Sequence, residues 1–95
     1  MFWKRSFRIR APSATLLRFK ANEFAEQFRA AMNSRKLEFD TEFKDDLVKI
    51  SIIFHDETSE TAPLLDKALL TRIISDLLQE QDFLIELHAG GMGWN

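Results

Sequence analysis

Histidine is the side chain best suited to acid–base or metal chemistry near neutral pH, and the chain has two, His55 and His88. Each stands at the end of an apolar run, with Asp56, Glu57 and Glu86 close by in sequence. Two imidazoles and a carboxylate make a familiar set of metal ligands. If the runs ending in His55 and His88 flank a common strand, both residues fall on one rim of a sheet, about 10 Å apart at the backbone. Strand-end histidines are more often ordinary surface residues than ligands, so the preferred reading is two such residues, with no metal and no cofactor.

Other chemistry has less support. There is no cysteine, which removes disulfides, thiolate zinc sites and thiol catalysis together. The patterns G-x-S-x-G, P-loop, G-x-G-x-x-G and H-E-x-x-H do not occur. The one glycine cluster, Gly90, Gly91 and Gly93, is followed only by Trp94 and Asn95. A phosphate-cradling loop needs a helix N-terminus after it, so residues 89–95 read as a flexible Gly-rich tail, with a small docking motif at Met92 and Trp94 as the alternative. No catalytic residue is assigned, and the expectation is a protein that is not an enzyme.

Charge is sorted by position. Residues 1–36 hold nine Lys/Arg against Glu23 and Glu26, a net of +7, while residues 37–95 hold four against thirteen Asp/Glu, a net of −9. The overall −2 hides a dipole that bears on partners rather than on fold. Trp3, Lys4, Arg5, Arg8 and Arg10 form a basic-aromatic stripe at the start of the chain, and Glu38, Asp40 and Glu42 form an acidic counterpart.

The elements that position these groups follow from periodicity. Phe2–Ala11 alternates, with Trp3, Phe7 and Ile9 on one face and Lys4, Ser6, Arg8 and Arg10 on the other, as in a half-buried strand. Leu17, Ala21, Phe24, Phe28 and Ala31/Met32 make a helical stripe, so one long helix is expected over 14–33, with Ser13 as its cap. The alternative breaks it, with a strand over 15–21 and Asn22 capping a shorter helix. Leu37–Phe43 alternates, Lys44-Asp45-Asp46 suits a tight turn, and Leu47–His55 is apolar at almost every position, together a β-hairpin with a central second strand. Asp56–Thr61 is rich in capping types, Pro63 suits a first turn, and a helix is expected from about Ala62 to Glu80. Phe83–His88 reads as the last strand.

The order β-α-β-β-α-β in 95 residues predicts an α+β ferredoxin-like two-layer sandwich, an antiparallel sheet in the order 4-1-3-2 with both helices on one face. A strand at 15–21 would give ββαββαβ and a ubiquitin-like β-grasp instead. Residues 1–88 are expected to form one domain. Most of the nine Phe residues, which occur without any Tyr, fall on the predicted helix-facing side. Phe2 and Trp3 are candidates to close the sheet end or to anchor a partner.

The basic N-terminal residues precede no apolar signal stretch, and no window is apolar enough to span a membrane, so a soluble cytoplasmic protein is expected. Length and element order single out no family. The functional expectation is a small interaction module (regulatory, inhibitor or assembly factor) that binds a protein partner or itself through Trp3, Lys4, Arg5, Arg8 and Arg10, with Glu38, Asp40 and Glu42 as a second surface. The alternative is a nucleic-acid-associated protein using the same basic stripe, with aromatics to stack on bases.

Overall fold

The alternation at the start of the chain becomes a central strand. The computed structural model describes residues 3–34, 36–55 and 64–88, and in it β1 (Trp3–Arg10) is bonded on one side to β3 (Leu47–Phe54) and on the other to β4 (Leu84–Leu87). The strand β2 (Leu37–Lys44) lies outside β3, giving the order β2-β3-β1-β4 with every pair antiparallel. Three helices, α1 (Ser13–Leu16), α2 (Ala21–Met32) and α3 (Lys67–Leu78), complete a small α+β domain. Strand order and pairing agree with the expected 4-1-3-2 sheet. The strand over 15–21 that a β-grasp needs is absent, its place taken by α1 and the turn after it.

The long helix expected over 14–33 is broken. Thr15 and Leu16 are buried in α1, whereas α2 buries Phe24, Ala25 and Phe28. In one unbroken helix Leu16 and Phe24, eight residues apart, would point about 80° away from each other. The break lets both faces reach the same core, and it leaves Leu17, which belonged to the apparent stripe, 86% exposed. Distant contacts hold the short turn in place: Ser13 Oγ donates to the Asp45 carbonyl and Thr15 Oγ1 to Glu80 Oε2. The N-caps are Pro12 for α1 and Lys20 for α2, neither with a side-chain capping bond, so Ser13 and Asn22 do not cap.

The β2–β3 hairpin turns at Asp45-Asp46, as expected. The Asp46 carbonyl accepts from the Ala11 N–H, so the turn is tied to the exit of β1. The third helix starts later than predicted, at Asp66, whose Oδ1 accepts from the N–H groups of Ala68 and Leu69. It ends at Gln79, in the left-handed region at φ 57°. Leu64–Asp66 is not helical, and the expectations for Asp56–Thr61, Ala62 and Pro63 lie outside the described residues, as do those for Phe2 and for the tail at 89–95. The last strand is shorter than Phe83–His88, although the His88 N–H still donates to the Ser6 carbonyl.

The core explains the choice of Phe. Ring centroids of Phe7, Phe19, Phe28 and Phe39 lie 5.7, 6.1, 5.7 and 6.0 Å from that of Phe24, tilted, stacked or edge-on as aromatic quadrupoles prefer. A Tyr here would bring a hydroxyl that needs a partner. Phe43 departs from expectation: it lies on the helix side opposite Val48 but, at the hairpin end, is 57% exposed.

Candidate functional site: the open face of the sheet

Register turns the open face into four rows, read from β2 through β3 and β1 to β4. The first holds Lys44, Leu47, Arg10 and Leu84, and the second Glu42, Lys49, Arg8 and Glu86. The third holds Asp40, Ser51, Ser6 and His88, and the fourth Glu38, Ile53 and Lys4. Read down the strands, β2 is an acidic column at the sheet edge. Lys4 and Arg8 on β1, with Lys49 beside Arg8 on β3, form a basic group at the centre.

The five-residue basic-aromatic stripe is divided by this register. Lys4, Arg8 and Arg10 share the open face. Trp3 and Arg5, opposite Phe54 and Ile52, belong to the helix side, where both are half-buried and Trp3 joins the core cluster. Trp3 therefore closes the core rather than standing beside Lys4 on a common surface.

Some open-face charges are already satisfied. Arg10 Nε donates to Glu86 Oε1 at 2.9 Å across β1 and β4, and His55 Nε2 pairs with Glu38 Oε2. Lys4, Arg8, Lys49, Asp40 and Glu42 make no ion pair within 4.0 Å among the described residues. Arg8 and Lys49 are direct cross-strand neighbours, a like-charge contact that sheets normally disfavour; Glu42 and Glu86 flank them in the same row.

Row three has no counterpart in the sequence-level reading. Ser6 and Ser51 are only 6% and 5% exposed although they lie on the open face, and their hydroxyls are 3.0 Å apart. Short side chains at the centre of two inner strands, bordered by Lys4, Arg8, Lys49 and Ile53, make a recess. Beside it lies a shallow hollow of about 350 Å³ lined by Lys4, Asp40, Thr41, Glu42, Lys49 and Ser51. The signal that could have revealed it is serine at the midpoint of two strands whose other outward positions are long.

The two histidines do not meet. His88 is level with Ser6, whereas His55 follows Phe54, which pairs with Trp3. This offset of about four residues on β1 is roughly 13 Å along the strands, added to two strand spacings of about 5 Å across them. The shared rim read from the sequence is therefore incorrect, because β3 and β4 both enter opposite Arg10 but β4 pairs with β1 only as far as Phe7, whereas β3 continues to Trp3. Among the described residues no three His, Asp or Glu are grouped to hold a metal ion; Asp56 and Glu57 lie outside them.

Elsewhere, a groove of about 790 Å³ runs between α3 and the outer edge of β4, lined by residues including Lys67, Thr71, Arg72, Asp76, Phe83 and Ile85. No helix among the described residues is long and apolar enough to cross a membrane. No family model matches the chain, nor does any curated protein or solved structure.

Proposed function

We propose that this protein is a small non-enzymatic interaction module that binds a protein partner through the open face of its sheet, acting in the cytoplasm as a regulator, inhibitor or assembly factor. One observation carries the reading: cations at Lys4, Arg8 and Lys49 and acids at Asp40 and Glu42 lie on one face without mutual ion pairs. Both signs at fixed spacing suit a protein surface of the opposite pattern, where complementarity raises the association rate and selects the partner. Arg8 lies where β1 is bonded on both edges and Lys4 where it is paired with β3, so the sheet holds these groups at fixed spacing. Arg10 contributes less to such a surface because Glu86 already engages it.

The nucleic-acid alternative draws on the same cations but lacks a stacking platform. The rows contain no Phe, Tyr or Trp, His88 being their one aromatic ring, and Trp3 faces the other way. Asp40, Glu42 and Glu86 beside the basic group repel phosphates.

The test compares the wild type with the charge-reversed double variant Arg8→Glu/Lys49→Glu in cross-linking and capture from cell extract. Both positions are on the solvent side of the sheet, and circular dichroism checks that the variant folds. Loss of the specific partner by the variant supports the reading. An unchanged partner set from a folded variant refutes it, and a steep salt-dependent affinity for single-stranded RNA or DNA would favour the alternative.

A further inference from the structure

We infer that the outer edge of β4 is a homodimerisation edge, where two copies join antiparallel about a two-fold axis at Ile85 to make one continuous eight-stranded sheet. This does not rest on the open-face reading and uses a different surface.

The backbone supplies the first argument. His88 donates its N–H inward to Ser6, and polar groups alternate along an antiparallel pair. Leu84, Glu86 and His88 are therefore bonded toward β1, while Ile85 and Leu87 aim N–H and C=O outward. Among the described residues no strand lies on that side. The opposite edge of the sheet, β2, presents Glu38, Asp40 and Glu42, so a symmetric pair centred there would set acids against acids; charged edges are a standard protection against pairing. Strand β4 carries one charge, Glu86, and exposes Leu84 at 52% and Leu87 at 39%.

Electrostatics then selects a register. Outward-aimed groups bond only if odd-numbered residues meet odd-numbered ones, and that parity also keeps the helix sides of both copies together. An axis at Glu86 sets Glu86 against Glu86 of the second copy. An axis at Leu84 sets Glu86 against Asp82 and leaves one β4 residue facing its own counterpart. An axis at Leu87 avoids both clashes but likewise sets only one β4 residue against β4 of the second copy. The axis at Ile85 avoids them and keeps Leu84, Ile85 and Glu86 paired with β4. It pairs Leu84 with Glu86, Phe83 with Leu87 and Asp82 with His88 of the second copy, which extends the core side with apolar contacts and places an acid against an imidazole.

The helix above agrees with this axis. Arg72 and Ile85 line the same groove, with Lys67 and Asp76 to either side of Arg72 along α3. Two-fold rotation there brings Lys67 one turn to one side opposite Asp76 one turn to the other. The groove is thus completed by the second copy's α3.

Sedimentation velocity on the full chain tests the inference, together with folded single variants. The expected result is twice the monomer mass for wild type and for Glu26→Lys, an exposed position on α2, and monomer mass for Leu87→Asp, with Leu84→Glu, which would face Glu86 of the second copy, as a second edge variant should Leu87→Asp fail to fold. Because the chain has no cysteine, L84C and E86C report the register directly. Their Cα atoms would be about 4.5 Å apart as a non-hydrogen-bonded pair, within disulfide reach, so an oxidised mixture should cross-link as a heterodimer and E86C alone should not. Monomer mass for wild type at every attainable concentration overturns the inference. So does a dimer that survives both edge variants, one that dissolves in Glu26→Lys, or preferential self-cross-linking of E86C.

Discussion

The hydroxyls of Ser6 and Ser51 lie 3.0 Å apart on the helix-free side of the sheet, and both residues are nearly closed to solvent. They are direct cross-strand neighbours on the two inner strands. Lys4, Arg8, Lys49 and Ile53 precede and follow them on the same face, so the helix-free side has a sheltered polar centre beside charged neighbours.

This pairing predicts non-additivity. Removing one hydroxyl leaves the other sheltered without its partner, at a cost of about 1–2 kcal/mol, whereas removing both eliminates the need. Ser6→Ala and Ser51→Ala should each destabilise the protein in urea unfolding. The double variant should be less destabilised than the two effects added, with a coupling above about 0.5 kcal/mol. Simple additivity would mean that the hydroxyls act independently.

Phe24 should be the most sensitive core position. It is 1% exposed and its ring touches four other Phe rings. Phe24→Ala removes those contacts and leaves a cavity, for an expected loss of about 3–5 kcal/mol. Phe43→Ala, at an exposed hairpin end, should cost less than about 1 kcal/mol. Thermal or urea unfolding of the pair measures the difference, and comparable losses would contradict this account of the core.

What was legible in the sequence follows from which physics is local. Alternation in Trp3–Arg10 and across the hairpin is a property of the strands themselves, so the strands and the placement of Lys4, Arg8 and Arg10 on one face were readable, while the strand order came from the β-α-β-β-α-β succession of elements. Treating Trp3 to Arg10 as one stripe ignored the same alternation, which sends Trp3 and Arg5 to the other side. The segment 14–33 misled because Leu17, Ala21, Phe24 and Phe28 have helical spacing. The contacts that break it, Ser13 to Asp45 and Thr15 to Glu80, span 32 and 65 residues and leave no local trace. The histidine placement failed for a different reason: β3 and β4 start level, both opposite Arg10, but β4 pairs over four residues and β3 over eight, a difference in length that the shared rim ignored.

Asp66 is the structural start of α3 through its bonds to the Ala68 and Leu69 N–H groups. Asp66→Ala should cost about 1 kcal/mol, and Asp66→Ser or Asp66→Asn should recover most of it. Equal stability of Asp66→Ala and wild type in chemical denaturation would show that the cap contributes nothing.

Gln79 ends the same helix at φ 57°, a conformation that strains any residue with a Cβ and suits glycine. Its Nε2 donates to the Asp76 carbonyl, an exposed bond of small value. Gln79→Gly should therefore stabilise the protein by roughly 0.5–1 kcal/mol. A lower melting temperature in the variant would show that the side-chain bond outweighs the backbone strain.

The end of α3 also governs α1. Glu80 Oε2 accepts from Thr15 Oγ1 at 2.7 Å and lies 3.7 Å from Arg18 Nη2. Thr15 is 8% exposed, so its hydroxyl bond is sheltered, while the Arg18 pair is more exposed and adds little. A one-turn helix has almost no stability of its own, which makes this carboxylate, with the Ser13–Asp45 contact, what holds residues 13–19 against the sheet. Glu80→Ala should lower global stability by about 1–2 kcal/mol, and amide exchange should accelerate first in 13–19, ahead of the sheet. Glu80→Gln, which keeps an acceptor oxygen without the charge, should restore most of the protection, and Arg18→Ala should leave it nearly unchanged. If exchange in 13–19 rose as much in Arg18→Ala as in Glu80→Ala, the ion pair rather than the Thr15 bond would be the tether.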